Sequence, residues 1–197
     1  RAVGHGTRLT LEQFLEEFQR AWSGLRARFL KVETWQSYQE LETNRSQERF
    51  RRGDLDSVRD LLREEAEGDR PLYEDVKRHG LDFARIRVLK EPLTDYLRYE
   101  LMSYQIRAEM GETILVVQAD PDLPLPNADL FDLLVFDRDI ALVHDYGAAD
   151  VGRQTGGWLV RDPETVGGLE RMASELRGRA IPLGQYLADV PTVGSSS

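Results

Sequence analysis

The sequence predicts an α/β fold, with α+β as its variant: a central mixed sheet of about five strands flanked by helices, behind a helix-rich N-terminal third. Three observations predict it. Apolar residues recur at three- and four-residue steps through most of the chain up to His79-Gly80. Beyond that point, short apolar runs separated by turn residues take over. Between them, the stretch Arg85 to Val117 (RIRVLKEPLTDYLRYELMSYQIRAEMGETILVV) reads as strand, proline-marked turn, helix and second strand.

The first helix is expected from Leu9 to about Leu30, on the spacing of Leu11, Phe14, Leu15, Phe18, Trp22 and Leu25. Thr10 and Gln13 form a capping box at its start. Phe29–Thr34 alternates apolar and polar residues and reads as a short strand or a turn. A charged helix is expected over Ser37–Arg51, stopped by Gly53-Asp54, and a further one over Leu55–Glu67. Glu64–Arg70 reads as a loop; Pro71 starts a helix closed by His79-Gly80. A strand over Ala84–Leu89 is followed by the turn Lys90-Glu91-Pro92, because proline cannot donate to a ladder.

Thr94 or Asp95 caps the next helix, whose apolar stripe is Leu97, Leu101, Tyr104 and Ala108, widened by Tyr96, Met102 and Ile106. Gly111 ends it, and Thr113–Ala119 is a strand. Pro121–Pro126 reads as a rigid extended loop, and Leu130–Phe136 with Ile140–His144 as a hairpin turning at Asp137-Arg138-Asp139. Gly147–Gly157 reads as a mobile connection, Trp158–Val160 as a last strand, and Asp162-Pro163 as the start of a helix to about Arg177. One domain over residues 7–190 is expected, with a helical part at 7–80 and a sheet-containing part at 81–190. The ends, 1–6 and 191–197, read as flexible or cloning-derived.

Composition removes several functions. There is no cysteine, which excludes disulfides, thiolate metal sites and cysteine catalysis and fits a reducing, cytoplasmic setting. No apolar run approaches the roughly 18 residues of a membrane span. The net charge is −9, with −1 in residues 1–70 and −8 in the rest, which argues against broad attraction to phosphate backbones. Arg45, Arg49, Arg51 and Arg52 form a local basic patch, read as a solvated helix face paired with Glu42 and Glu48.

Asp95, Arg98, Tyr99 and Glu100 open a helix directly after a strand. Backbone N–H groups there, with Arg98, are suited to an anionic ligand. The same residues also suit a cap, an ion pair and packed rings. Glu33, beside Thr34 at the end of an apolar run, is a candidate to meet Arg98, as a site or as a structural ion-pair lock. No metal site is expected: Asp129, Asp132, Asp137, Asp139 and Asp145 match no calcium loop, and His144 reads as a structural strand histidine. No cofactor is expected either. The glycines at 147, 152, 156 and 157 make no phosphate loop, and no serine has a G-x-S-x-G context.

Three segments occur in order: FLKVETWQSYQELETNRSQERFRRGD (29–54), RIRVLKEPLTDYLRYELMSYQIRAEMGETI (85–114) and DLFDLLVFDRDIALVHDYG (129–147). Together they resemble an actinobacterial family of domains of unknown function, DUF6879, over nearly the whole chain. The chain departs from the family pattern at Leu133-Leu134, where Trp-Leu is usual, and at Lys31-Val32, where Arg-Leu is usual. The strand–helix–strand–hairpin order is also similar to half of the phospholipase D fold. That chemistry needs His-x-Lys-x4-Asp, and none of His5, His79 and His144 has lysine two positions on.

The resemblance implies a non-enzymatic, cytoplasmic regulatory or protein-interaction module working with a helix-turn-helix regulator. The alternative is a small-ligand sensor for an anionic metabolite, with its pocket at Thr94–Glu100. A phosphodiesterase is a distant third because its nucleophile is missing. Direct nucleic-acid binding and membrane association are not expected, and the oligomeric state is open.

Overall fold

The computed structural model describes residues 5–38, 44–123, 131–147 and 152–189. In chain order these form β1 (Thr7–Thr10), α1 (Leu11–Ser23), β2 (Arg28–Glu33), α2 (Arg45–Arg51), α3 (Leu55–Glu67), α4 (Arg70–His79), β3 (Asp82–Leu89) and α5 (Asp95–Glu109). Then follow β4 (Ile114–Gln118), β5 (Leu133–Phe136), β6 (Ile140–Asp145), β7 (Gly156–Val160), α6 (Pro163–Arg179), β8 (Ile181–Pro182) and α7 (Leu183–Asp189).

All eight strands form one mixed sheet, ordered β1-β7-β6-β5-β2-β3-β4-β8. β2, β3 and β4 run parallel; β5 is antiparallel to β2, and the β5-β6-β7 meander continues to the β1 edge. Alternation of side chains gives the sheet two faces of different character. One carries Leu30, Val32, Ala84, Ile86, Val88, Val135 and Val143 against Val166, Leu169, Ala173 and Leu176 of α6. Ion pairs hold the rim of that layer: Arg28 with Glu170, and Arg177 with Asp82 at 2.7 Å.

The other face changes along the strands. Near the N-terminal ends of β2 and β3, Phe29, Phe83 and Phe136 pack with Phe18 and Trp22 of α1. Over β3 and β4, Leu97, Leu101 and Tyr104 of α5 and Leu183 and Tyr186 of α7 cover Leu89, Ile114 and Val116. α1 and α5 thus roof opposite parts of one face. Between them, at the C-terminal ends of β2 and β3, the sheet presents charged side chains instead of apolar ones.

Local chemistry sets these elements. Thr10 caps α1 with the capping box to Gln13, Thr94 caps α5 by accepting from Leu97 N, and Asp162 caps α6 by accepting from Thr165 N. α4 ends at Gly80 in the left-handed region (φ 62°), a conformation that costs glycine nothing. Asp137, also left-handed (φ 51°), turns the β5-β6 hairpin and accepts from the backbone N–H groups of Arg26, Ala27 and Arg28. That tethers the start of β2 to the hairpin.

The architecture matches the predicted mixed sheet between helices, with more strands than the expected five or so. The first third supplies β1 and β2, and β2 is central, so the predicted helical part contributes to the sheet. α1 begins at Leu11 and stops at Ser23, because Gly24 caps it and the chain must turn into β2. The predicted loop at Glu64–Arg70 is mostly helix, with only Gly68 and Asp69 between α3 and α4. β8 and α7 carry too few residues to give a periodic signal. The predicted segments at 39–43, 124–130 and 148–151 lie outside the described residues, as do Leu41, Glu42 and Asp129.

Candidate functional site: a charged cavity between two helices

The site begins with four residues on two strands. Lys31 and Glu33 of β2 stand in register with Arg85 and Arg87 of β3, all facing the gap between α1 and α5. Parallel strands covered on both faces normally alternate apolar with apolar. Here they alternate Leu, Lys, Val, Glu and Ala, Arg, Ile, Arg. Burying such charges costs several kcal/mol per ion unless each is paired and hydrogen-bonded.

Each is. Glu33 accepts from Arg85 Nη1 at 2.9 and 3.1 Å, from Tyr104 Oη at 2.5 Å, and pairs with Lys31 Nζ at 2.8 Å. Burial alone would raise its carboxyl, but Arg85, Lys31 and Arg87 together outweigh that and hold it well below the usual carboxylate range. Arg85 also binds Glu112 through Nε at 2.6 Å, and Tyr73 Oη donates to the same carboxylate at 2.5 Å. Arg87 has no solvent exposure. Its Nε meets Glu100 Oε2 at 2.7 Å, while Nη1 and Nη2 donate to the backbone carbonyls of Glu33 (3.0 Å) and Trp35 (2.6 Å). Burial pushes the Glu100 carboxyl up to about 7, only partly opposed by Arg87, with the Glu33 charge adding to the rise.

A second cluster closes the other side. Asp132, just before β5, accepts from the backbone N–H groups of Thr34 (2.7 Å) and Trp35 (3.2 Å), and its Oδ2 takes the hydroxyls of both Tyr38 and Tyr146. Burial, then the Asp132 charge, keep both tyrosines protonated well above their ordinary pKa. Trp35 stacks on Tyr146 with ring centroids 5.2 Å apart, and His144 also stacks on Tyr146, at 5.9 Å. His144 Nδ1 lies 3.4 Å from Tyr146 Oη. Burial brings the imidazole down to about 4, so it is neutral near pH 7. Its buried Nε2 has no hydrogen-bond partner among the described residues. Gly157, opposite His144, lets Phe14 approach: a Cβ there would sit 2.5 Å from the Phe14 ring and 2.4 Å from Val143 O.

These two clusters wall a cavity of about 640 Å³, completed by Tyr96, Tyr99, Ser103 and Arg107 on the helical side and by Arg153 and Gln154 before β7. The volume lies within the roughly 300–1,000 Å³ range of small-molecule pockets. Its position also follows a general rule, since ligands of open α/β sheets bind beyond the C-terminal ends of the strands.

The five predicted site residues divide. Glu33, Tyr99 and Glu100 line this cavity. Asp95 and Arg98 do not; they pair with each other across one helical turn at 3.2 Å, with 89% and 61% of their side chains exposed. The expected Glu33–Arg98 pair is therefore absent, because Arg98 faces solvent while Glu33 points along the sheet to Arg85. Asp95 borders a smaller cavity of about 230 Å³ at the α5 start, with Thr94, Gln47 and Arg51. Tyr38, Tyr96 and Tyr99 separate the two. Sequence reasoning missed Lys31, Arg85, Arg87, Tyr104, Asp132 and Tyr146. The usable signal was charge at alternate positions in otherwise apolar strands. No cluster of metal-ligating side chains occurs among the described residues, and no helix among them is long and apolar enough to cross a membrane.

A search among curated proteins gives no match. Among solved structures, an archaeal chromatin protein, TrmBL2, whose structure shows a novel mode of DNA binding, aligns at 10% identity and a TM-score of 0.43. The alignment covers 89% of this chain and 53% of that one, so the chain spans about half its length. A likeness at that level carries no weight for function. The family comparison does carry weight: the profile of DUF6879, a domain of unknown function, matches residues 16–188, and the chain belongs to that family.

Proposed function

We propose that the chain is a small-molecule-binding module, a sensor and not an enzyme, whose ligand occupies the cavity between α1 and α5. One observation carries this reading. Charges that cost energy to bury are placed on a sheet face and then saturated by one another, around a space large enough for a metabolite. A purely structural ion-pair network would close around itself; this one borders an open volume lined by hydroxyls, amides and rings. Saturation also speaks for binding over turnover, since Glu33, Glu100 and Asp132 already hold protein donors.

The pocket predicted at Thr94–Glu100 is thus moved inward, past the tyrosine partition. A thermal-shift screen of polar metabolites against the wild type and Ser103→Trp tests the reading. Ser103 lines the cavity, and tryptophan there intrudes into it. Compounds that raise the melting temperature of the wild type only are expected; no such compound would contradict the proposal.

A second reading, a protein-interaction module partnered by a helix-turn-helix regulator, draws support from α1. Leu11 and Leu15 are exposed (40% and 55%), and Leu11 also lines the cavity, placing a small apolar strip beside its mouth. Recovery of such a regulator by the wild type but not by Leu15→Glu is the outcome it requires.

A further inference from the structure

Among the described residues, most charged side chains of the cavity wall are paired, and the exceptions lie at one end. His144 Nε2 is buried without a partner among the described residues. The Gln154 side chain lies against the imidazole; its amide donates one N–H to Gly156 O at 3.1 Å, and a ligand at Nε2 takes the place of that side chain. Arg153, adjacent in the chain, lines the cavity and is exposed, and among the described residues no acid pairs with it. The other cations of the wall are committed: Lys31 and Arg85 to Glu33, and Arg107 to Asp69. Thr155 N donates to Asp145 O at 2.7 Å, which fixes the 152–155 stretch against the end of β6, where His144 sits.

Among the described residues, this end therefore offers one cation with no acid partner and one buried acceptor with only the Gln154 side chain set against it. A guanidinium presents a fork of donors that fits a carboxylate or phosphate. A neutral imidazole with Nδ1 directed to Tyr146 Oη keeps its lone pair at Nε2, ready to accept from a hydroxyl. The rest of the wall works against a charged group: an anion there would compete with Glu33 for Lys31 and Arg85, and a cation would meet Lys31 and Arg85. Its tyrosine hydroxyls, Ser103 and aromatic faces suit an uncharged, hydroxyl-bearing body.

Resting on the reading of the cavity as a binding site, we propose that its ligand is a hydroxylated organic anion: the anionic group pairs with Arg153, a neighbouring hydroxyl donates to His144 Nε2 in place of the Gln154 side chain, and the polyol body lies along the tyrosine wall. A phosphate and a carboxylate share this chemistry, and the test separates them.

Isothermal titration of the full chain with a hexose phosphate, gluconate and glucose reads the assignment. At least one of the two anions is expected to bind at least tenfold more tightly than glucose, and which one does so identifies the head group. Arg153→Gln, a surface change, is expected to remove that advantage without altering the melting temperature. His144→Phe, which keeps the ring contacts to Phe14 and Tyr146, is expected to weaken the favoured anion tenfold while a deoxy analogue binds as before. Equal binding of glucose and both anions, unchanged binding by Arg153→Gln, or binding by none of the three overturns this ligand class. If glucose binds the wild type as tightly as both anions, and does not bind Ser103→Trp, the class falls and the cavity reading stands.

Discussion

Arg87 donates from Nε to Glu100 Oε2 at 2.7 Å, joining the middle of the sheet to α5 through a side chain with no solvent exposure. Its other two nitrogens hold the carbonyls of Glu33 and Trp35, so one guanidinium fixes the floor, one wall and the chain leaving β2. Replacing it with methionine leaves a buried carboxyl and two carbonyls without their donor. Arg87→Met is expected to cost about 3–5 kcal/mol in urea unfolding. The double variant Arg87→Met/Glu100→Gln is expected to lose less than the sum of the singles.

Glu100 gives stability a pH slope of known sign. Its folded pKa of about 7 lies above the ordinary carboxylate value. Between the two, the native state holds a proton that the unfolded chain has released, so stability falls as pH rises through that window. The loss is on the order of 2 kcal/mol between pH 5 and 8, given its coupling to Glu33. Glu100→Gln is expected to flatten that slope in melting temperatures measured across the same range; an unchanged slope would place the titration elsewhere.

His144 acts with the opposite sign at lower pH. With its imidazole at about 4, protons favour the unfolded chain as pH falls from the ordinary histidine range. The Glu100 contribution is common to both proteins, so the wild type is expected to lose melting temperature relative to His144→Phe as pH falls from 6.5 towards 4.

Asp132 collects four donors, two of them tyrosine hydroxyls that close one side of the cavity. Asp132→Ala orphans the backbone N–H groups of Thr34 and Trp35, one of them fully buried. A loss of about 3 kcal/mol is expected. The Trp35–Tyr146 stack should loosen as well, read as a shift in tryptophan emission.

Arg98→Ala, by contrast, removes an exposed pair. It is expected to change stability by less than about 1 kcal/mol and to leave ligand binding untouched.

The contrast between Arg98 and Arg87 shows what the sequence made legible. Helix caps are local, so Thr10, Thr94 and Asp162 could be read from neighbours three residues away. α5 was legible as a helix but not as one covered twice. Leu97, Leu101 and Tyr104 face the sheet while Tyr99 and Ile106 face α3, and a helix buried on two sides carries no single stripe. The site depends on strand register, which brings Lys31 beside Arg85 and Glu33 beside Arg87 across more than fifty residues of chain. Register between parallel strands leaves no trace in the spacing of either strand alone. Only the alternation of charge with apolar residues in LKVE and RIRV pointed to a common polar face.

The most direct measurement is native mass spectrometry of the full chain after incubation with a metabolite extract and buffer exchange. The cavity reading predicts a retained small molecule on the wild type, released on denaturation, and none on Ser103→Trp folded to the same circular-dichroism spectrum. A bare wild-type mass, or the same adduct on both proteins, would contradict it.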